Sequence, residues 1–243
     1  MNPGLSTCFP AFRSAISASM PARGQSAVCC CDVTLPSSHF SVEMAGGAAL
    51  LRLQSEDGTN RLTRACVQAL TDAVKELAQE NASLVITGNS RFFSAGADLA
   101  EIATLTGPDA YQFSKMGQML MDTIASFRVP VIAAISGYCL GGGLDLALAC
   151  HYRVASQHAV FGHRGAALGL ITGWGGTQRL PRLIGKGRAL ELLIAAEKIH
   201  AHQALRMGLA DSIVDDPVNE ALRRAQNLTA CNQPSSRKPN AES

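Results

Sequence analysis

Apolar and polar positions alternate in the first predicted elements of the chain and then give way to helical spacing. The segments FSVEM (40–44) and ALLRL (49–53) flank Gly46-Gly47, and this pattern predicts a β-hairpin. Apolar residues then recur every three or four positions, which predicts an amphipathic helix over 62–80. The members of that repeat are Leu62, Cys66, Ala69, Ala73, Leu77 and Ala78.

Short apolar runs further along the chain predict three strands, at 83–87, 131–136 and 152–156. The second run is predicted to be buried, because it is brief and rich in β-branched residues. Helical patterns lie between these strands, at 108–128 and 143–150. Strands that alternate with helices are typical of an α/β fold with a largely parallel sheet.

The two ends of the chain differ in composition from its centre. Residues 1–36 are rich in Ser, Ala and Pro, with no acid before Asp32. They fit a disordered extension, a start assigned too early with Met20 as the true one, or an organelle-targeting segment. Residues 230–243 are polar and are predicted to form a disordered tail. One folded domain is therefore expected over 37–229.

The composition narrows the classes of function. Of 243 residues, 47% are hydrophobic, 16% charged and 5% aromatic, and the formal net charge is +2. These values allow one substantial core and give little support to nucleic-acid binding. No apolar stretch approaches the ~18 residues of a membrane span. Eight cysteines without paired CxxC spacing favour reduced thiols in a cytosol-like compartment.

Two glycine-containing turns follow predicted strands. Gly141-Gly142-Gly143 lie between a strand and a helix, and Ala95-Gly96-Ala97 follow the strand at 83–87. The first N–H groups of a helix lack internal acceptors, and glycine lets a ligand approach them. Two such turns at the carboxyl ends of strands predict a crevice with two converging N–H donors, an oxyanion hole. Close packing of a helix on the sheet would equally explain the glycine triplet.

Four motifs, in order, resemble those of the crotonase family (enoyl-CoA hydratase/isomerase). They are FFSAGADLAE (92–101), GYCLGGGLDLALAC (137–150), GLITGWGGTQRLPRLIGKGRALELL (169–193) and ALRMGLADSIV (204–214). The resemblance covers about 39–229 and implies an α/β fold, a spiral of ββα units with a helical C-terminal part. It also implies that the chain binds acyl-CoA thioesters and stabilises an enolate-like intermediate. No separate cofactor or metal is expected, because coenzyme A enters as part of the substrate.

The same resemblance implies which residues form the site. The two oxyanion amides would be those of Ala95 and Gly142. Contacts to the substrate would come from Ala95, Gly96, Ala97, Asp98, Leu99, Gly141 and Gly142. For Asp98 a second interpretation stays open, namely that it begins the following helix, where a negative charge is favoured.

The sequence departs from the family at the positions that move protons. Hydratases of the family use two glutamates; here Asp145 matches the first position, and Gly165, within FGHRGAALG (161–169), matches the second. Gly173 stands near the place of a further aspartate in dienoyl-CoA isomerases. We expect Asp145 to be the main acid/base group, with His163 as a second candidate that titrates near neutral pH. The alternative for Asp145 is a buried acid held by hydrogen bonds, and the alternative for His163 is a surface or hydrogen-bonded histidine.

The remaining histidines and the tryptophan have simpler interpretations. His151 lies near a helix C-terminus and is expected to be partly charged. His200 and His202 are expected to be solvated, without metal-ligand spacing. Trp174 either forms a wall of the acyl pocket or packs against 179–184.

Three hypotheses for function follow. The first is an enoyl-CoA hydratase (a lyase) or isomerase of fatty acid metabolism. The second is a non-catalytic acyl-CoA-binding protein, and the third is a structural paralogue that assembles with active relatives. The first is preferred. The expected form is a cytoplasmic homotrimer or hexamer without nucleic-acid or membrane partners, or a protein of the mitochondrial matrix if the source is eukaryotic. The short helical end at 216–229 makes the trimer a weaker implication.

Overall fold

The chain begins its folded part with a hairpin. The computed structural model describes residues 37–231; the predicted extension at 1–36 and the tail from 232 onward lie outside this range. Strands β1 (Phe40–Ala45) and β2 (Ala48–Leu53) pair antiparallel, as predicted. Both glycines between them have positive φ, which is the requirement of a tight two-residue hairpin turn.

The hairpin is one end of a six-stranded sheet, here called the large sheet, with the order β1-β2-β4-β7-β9-β12. Its other strands are β4 (Ser83–Thr87), β7 (Val131–Ile135), β9 (Tyr152–Ala155) and β12 (Ser212–Ile213). From β2 onward every pairing is parallel. Strands β4 and β7 are buried at every position, which explains their unbroken apolar sequences.

A second, four-stranded sheet, the small sheet, was not predicted from the sequence. Its order is β11-β10-β8-β5. The strands are β5 (Phe92–Ser94), β8 (Tyr138–Leu140), β10 (Val160–Gly162) and β11 (Ile199–His200). A separate parallel pair joins β3 (Arg61–Leu62) to β6 (Gly96–Ala97). Each of these strands has only two or three residues, too few to produce a periodic signal.

Helices complete a repeating ββα arrangement. A strand of the large sheet, a strand of the small sheet and then helical structure follow one another three times: β4 and β5, β7 and β8, and β9 and β10. The helices are α1 (Arg64–Leu77), α2 (Leu99–Ala103), α3 (Gly107–Ala125), α4 (Gly142–Ala149), α5 (Gly176–Ile184), α6 (Lys186–Ala195), α7 (Ala201–Arg206) and α8 (Pro217–Cys231), with a 3-10 turn at Gly165–Leu168. The predicted helices 62–80, 108–128 and 143–150 correspond to α1, α3 and α4.

Apolar side chains cover both faces of the large sheet. One face joins the main core, where Leu51 and Ile86 pack with Leu120 and Ile124 of α3. The other face lies under α8, whose small Ala225 belongs to a second cluster with strand residues of the large sheet. The sheet is thus held rigidly, and it fixes the loops at the carboxyl ends of its strands.

Candidate functional site

The two glycine turns meet, as the sequence predicts. Gly96 has a φ of 91°, and a Cβ built on it would lie 2.8 Å from the Gly142 nitrogen and 2.6 Å from the Leu140 oxygen. A side chain at position 96 would therefore displace the backbone that begins α4. Glycine is required at position 96 for two reasons, namely its positive φ and the close approach of two backbone segments.

The structure corrects the assignment of the Ala95 amide to the oxyanion hole. The Ala95 N–H donates to the Thr59 carbonyl at 3.0 Å, so it is already paired within the fold. The nitrogen that lies beside Gly142 is that of Ala97, 3.3 Å from a Cβ built on Gly142. Gly142 is the first residue of α4, so its own N–H has no acceptor within the helix. The neighbouring amides at this point are therefore those of Ala97 and Gly142.

A cavity of about 570 Å³ opens beside these amides. Ten residues singled out from the sequence line it: Ala95, Ala97, Leu99, Gly141, Gly142, Asp145, His163, Gly165, Gly173 and Trp174. Gly96 and Asp98, predicted as substrate contacts, are not among the lining residues. Asp98 instead caps α2, because its Oδ1 accepts from the Ala100 N–H at 2.8 Å and from the Glu101 N–H. The helix-start interpretation of Asp98 is confirmed.

Asp145 and His163 form a buried pair in the wall of this cavity. Their side chains are only 2% and 4% exposed, and His163 Nε2 lies 3.0 Å from Asp145 Oδ1. Asp145 is held on the first turn of α4, and His163 directly follows β10. The pairing supplies one partner for a buried carboxylate that would otherwise be costly to desolvate.

Thr172 is a third member of this group that sequence reasoning missed. Its hydroxyl donates to Asp145 Oδ2 at 2.5 Å, so both oxygens of the carboxylate are occupied. Gly176 closes the group from behind: a Cβ there would lie 2.3 Å from Asp145 Oδ1 and 2.9 Å from His163 Nε2. No local pattern pointed to Thr172, since it lies 27 residues from Asp145 along the chain.

A side chain would be crowded at the two positions where the family resemblance implies further acids. Gly165 begins the 3-10 turn, and a Cβ built on it would lie 2.8 Å from the Leu170 carbonyl oxygen. Gly173 also lines the cavity, and a Cβ there would lie 2.9 Å from Ser114 Oγ. His163 is therefore the ionisable side chain that the structure places in hydrogen-bond contact with Asp145.

Trp174 forms a wall of the cavity and also contacts the 179–184 segment, because its carbonyl accepts from Arg179. The side chain is 4% exposed, its ring meets Phe113 edge-on at 5.2 Å between centroids, and its Nε1–H donates to the Phe113 carbonyl at 3.3 Å. It belongs to the cavity lining together with Gly142.

The prediction that His151 is partly charged is wrong. Its Nδ1 accepts a hydrogen bond from the Val131 N–H at 3.0 Å, which requires an unprotonated nitrogen. Burial, together with the nearby positive charge of Arg153, lowers the pKa of His151. His200 and His202 are exposed, as expected.

Within residues 37–231, the acids, histidines and cysteines form no group of three or more that could hold a metal ion. Cys66, Cys139 and Cys150 are buried free thiols. None of the helices in this range combines the length and apolar character needed to cross a bilayer.

Comparison with known proteins agrees with this architecture. The model of the family described as enoyl-CoA hydratase/isomerase matches residues 43–238. A protein of Bacillus subtilis (strain 168) named "Probable enoyl-CoA hydratase" is 46% identical over 149 residues, 61% of this chain and 57% of its own length. The "Crotonyl-CoA hydratase" of Syntrophomonas wolfei subsp. wolfei (strain DSM 2245B / Goettingen) is 40% identical over 169 residues, 68% of this chain and 65% of its own.

The fold is likewise shared with a solved structure. The crystal structure of an enoyl-CoA hydratase from Bacillus anthracis superimposes with a TM-score of 0.72 at 36% identity, covering 79% of this chain and 76% of the other. The chain belongs to the enoyl-CoA hydratase/isomerase family, and its crotonase-like fold is confirmed. The matches with the two curated relatives span less than two thirds of their lengths.

Proposed function

We propose that this chain is an enoyl-CoA hydratase that adds water across the double bond of an acyl-CoA thioester. The observation that carries the proposal is the Asp145–His163 pair, hydrogen-bonded at 3.0 Å and lining the same cavity as Ala97 and Gly142. Paired amides and an acid/base pair around one cavity are the two parts that such a reaction needs.

In this proposal the thioester carbonyl oxygen accepts hydrogen bonds from the N–H groups of Ala97 and Gly142. Addition of water to the β-carbon places negative charge on that oxygen, giving an enolate. One donor of this kind typically contributes ~3 kcal/mol to the transition state. The position of Gly142 at the start of α4 adds the positive end of a helix dipole, although α4 is short.

The Asp145–His163 pair then moves the protons. When His163 Nε2 donates to Asp145, the lone pair of the imidazole is on Nδ1, which can take a proton from water. The water oxygen bonds to the β-carbon, and the same imidazole returns a proton to the α-carbon as the enolate collapses. Asp145, which accepts a hydrogen bond from Thr172, holds the ring in one tautomer and stabilises its transient positive charge.

A direct test follows the loss of enoyl-thioester absorbance with crotonyl-CoA. We expect wild-type turnover, and losses of about a hundredfold or more in Asp145→Asn and His163→Gln, the usual size for general acid–base groups. His158→Gln, the same substitution at an exposed histidine, should keep full activity. Coenzyme A thioester binding without turnover in the wild type would refute the catalytic proposal and support the binding-protein hypothesis.

We also infer a homo-oligomer. Three apolar side chains near the cavity, Ile171, Leu190 and Ile194, are 76%, 59% and 67% exposed in the single chain, an arrangement typical of an association surface. Light scattering coupled to size exclusion should give a multiple of 25.5 kDa; a monomer at micromolar concentration would contradict this. The cytoplasmic location and the absence of a separate cofactor stay predictions.

A further inference from the structure

The Trp174 indole packs against two glycines, Gly117 and Gly142. A Cβ built on Gly117 of α3 would lie 2.2 Å from the indole Cδ1 and Nε1, and one built on Gly142 would lie 2.4 Å from Cζ3. The two ends of the indole therefore press directly on the backbones of α3 and α4. Any residue larger than glycine at either position would displace the ring.

The indole is also fixed in orientation. Its Nε1–H donates to the Phe113 carbonyl, and the Trp174 carbonyl accepts from Arg179 Nη1 at 3.2 Å. The edge-on contact with Phe113 adds a preferred aromatic geometry. Trp174 is thus a rigid part of the cavity wall, packed between α3 and α4, rather than a side chain that swings aside at low cost.

The Trp174 indole lies close to the proposed oxyanion hole. A Cβ and its own backbone nitrogen are about 2.5 Å apart, since both are bonded to Cα, so Cζ3 lies within about 5 Å of the Gly142 nitrogen. A carbonyl oxygen bound to that nitrogen sits about 2.9 Å from it. An acyl chain that runs from that carbonyl along the Trp174 wall would therefore contact the indole with its first few carbons.

We propose that Trp174 determines substrate specificity by closing the acyl end of the cavity, so that the chain selects short acyl groups over long ones. This inference rests on the proposed function, because it takes the carbonyl to be bound at Gly142. The substrate class is a coenzyme A thioester with an acyl chain of about four carbons. Longer chains would have to displace a buried ring that is anchored at both ends.

The test compares binding of the saturated probes butyryl-CoA and octanoyl-CoA by calorimetry, in wild type, Trp174→Ala and Trp174→Phe. We expect the wild type to bind butyryl-CoA about tenfold or more tightly than octanoyl-CoA, a size typical of steric selection in apolar pockets. Trp174→Ala should remove most of this ratio by improving octanoyl-CoA binding, with Trp174→Phe between the two. If the alanine variant does not fold, the phenylalanine variant still carries the test.

The matched control is Leu205→Ala, which truncates a 40%-exposed apolar side chain on α7, outside the cavity lining. It should leave the ratio unchanged. A ratio that stays the same in both Trp174 variants, or a wild type that binds both probes equally, would overturn the inference while leaving acyl-CoA binding intact. A wild type that binds neither probe would instead refute the proposed function itself.

Discussion

Gly176→Ala is the sharpest test of the acid/base group, because it adds one methyl group at the back of the Asp145–His163 pair. The added Cβ would lie 2.3 Å from Asp145 Oδ1, whereas ordinary contacts begin at 3.4 Å. The carboxylate must therefore move by about 1 Å, and the same Cβ, 2.9 Å from His163 Nε2, presses on the imidazole as well. The 3.0 Å hydrogen bond between the two side chains would be lost or misaligned.

The expected effect is mainly kinetic. A displacement of about 1 Å in reacting groups can cost ~10²-fold in rate, so we expect a fall in kcat near a hundredfold with crotonyl-CoA. Overpacking costs ~1–3 kcal/mol in stability, offset by up to ~1 kcal/mol from the better helix propensity of alanine, so the variant should fold.

Gly187→Ala is the matched control for this substitution. It places the same methyl group in the exposed first turn of α6, where nothing lies within 4 Å of the built Cβ. It should keep wild-type kinetics and be as stable as the wild type or slightly more so. Kinetic constants and urea midpoints are measured for both variants. A folded Gly176→Ala protein with wild-type kcat would refute the view that the pair must keep its geometry.

Three further predictions concern stability and reactivity. Since the pKa of His151 is lowered below its usual ~6.5, its stabilising contribution is present above that pH and lost as pH falls below it. In urea titrations the free energy of unfolding of the wild type should therefore decline between pH 7 and 5, and His151→Gln should remove part of this decline. An unchanged decline in the variant would contradict the prediction. Arg153→Met removes the buried donor to two carbonyls and to Asp211. It should lower the free energy of unfolding by ~3 kcal/mol. A loss under ~1 kcal/mol would contradict this prediction. Burial raises the pKa of Cys66 and of Cys150 to about 12. Peptide mapping after iodoacetamide treatment at pH 8 should therefore find both thiols unmodified in the folded protein and alkylated in urea. Rapid labelling of the native thiols would show that they are not shielded.

The sequence predicts those parts of the fold that have long or strongly patterned signals. The hairpin follows from two alternating segments around Gly46-Gly47, and α1 follows from its apolar repeat. The small sheet escapes prediction because a strand such as β5 has three residues and its partners are distant in sequence.

The site shows the same division between local and long-range information. The sequence identifies Asp145 and Gly142 because they share one motif. It favours the amide of Ala95 over that of Ala97, because the positive φ of Gly96, which redirects the backbone, is visible only in three dimensions. Thr172 depends on a contact across 27 residues, for which the sequence carries no local mark.

The crowding at Gly165 constrains how this protein can evolve. Because a main-chain oxygen, that of Leu170, stands 2.8 Å from where a Cβ would be, no single codon change can install a second carboxylate there without rebuilding the turn. An acidic side chain at 165 and a compensating change in the following turn would have to arise together, each being harmful or useless alone. Selection on a weakened Asp145–His163 pair would therefore act on a supporting side chain such as Thr172 before it could restore a two-carboxylate site.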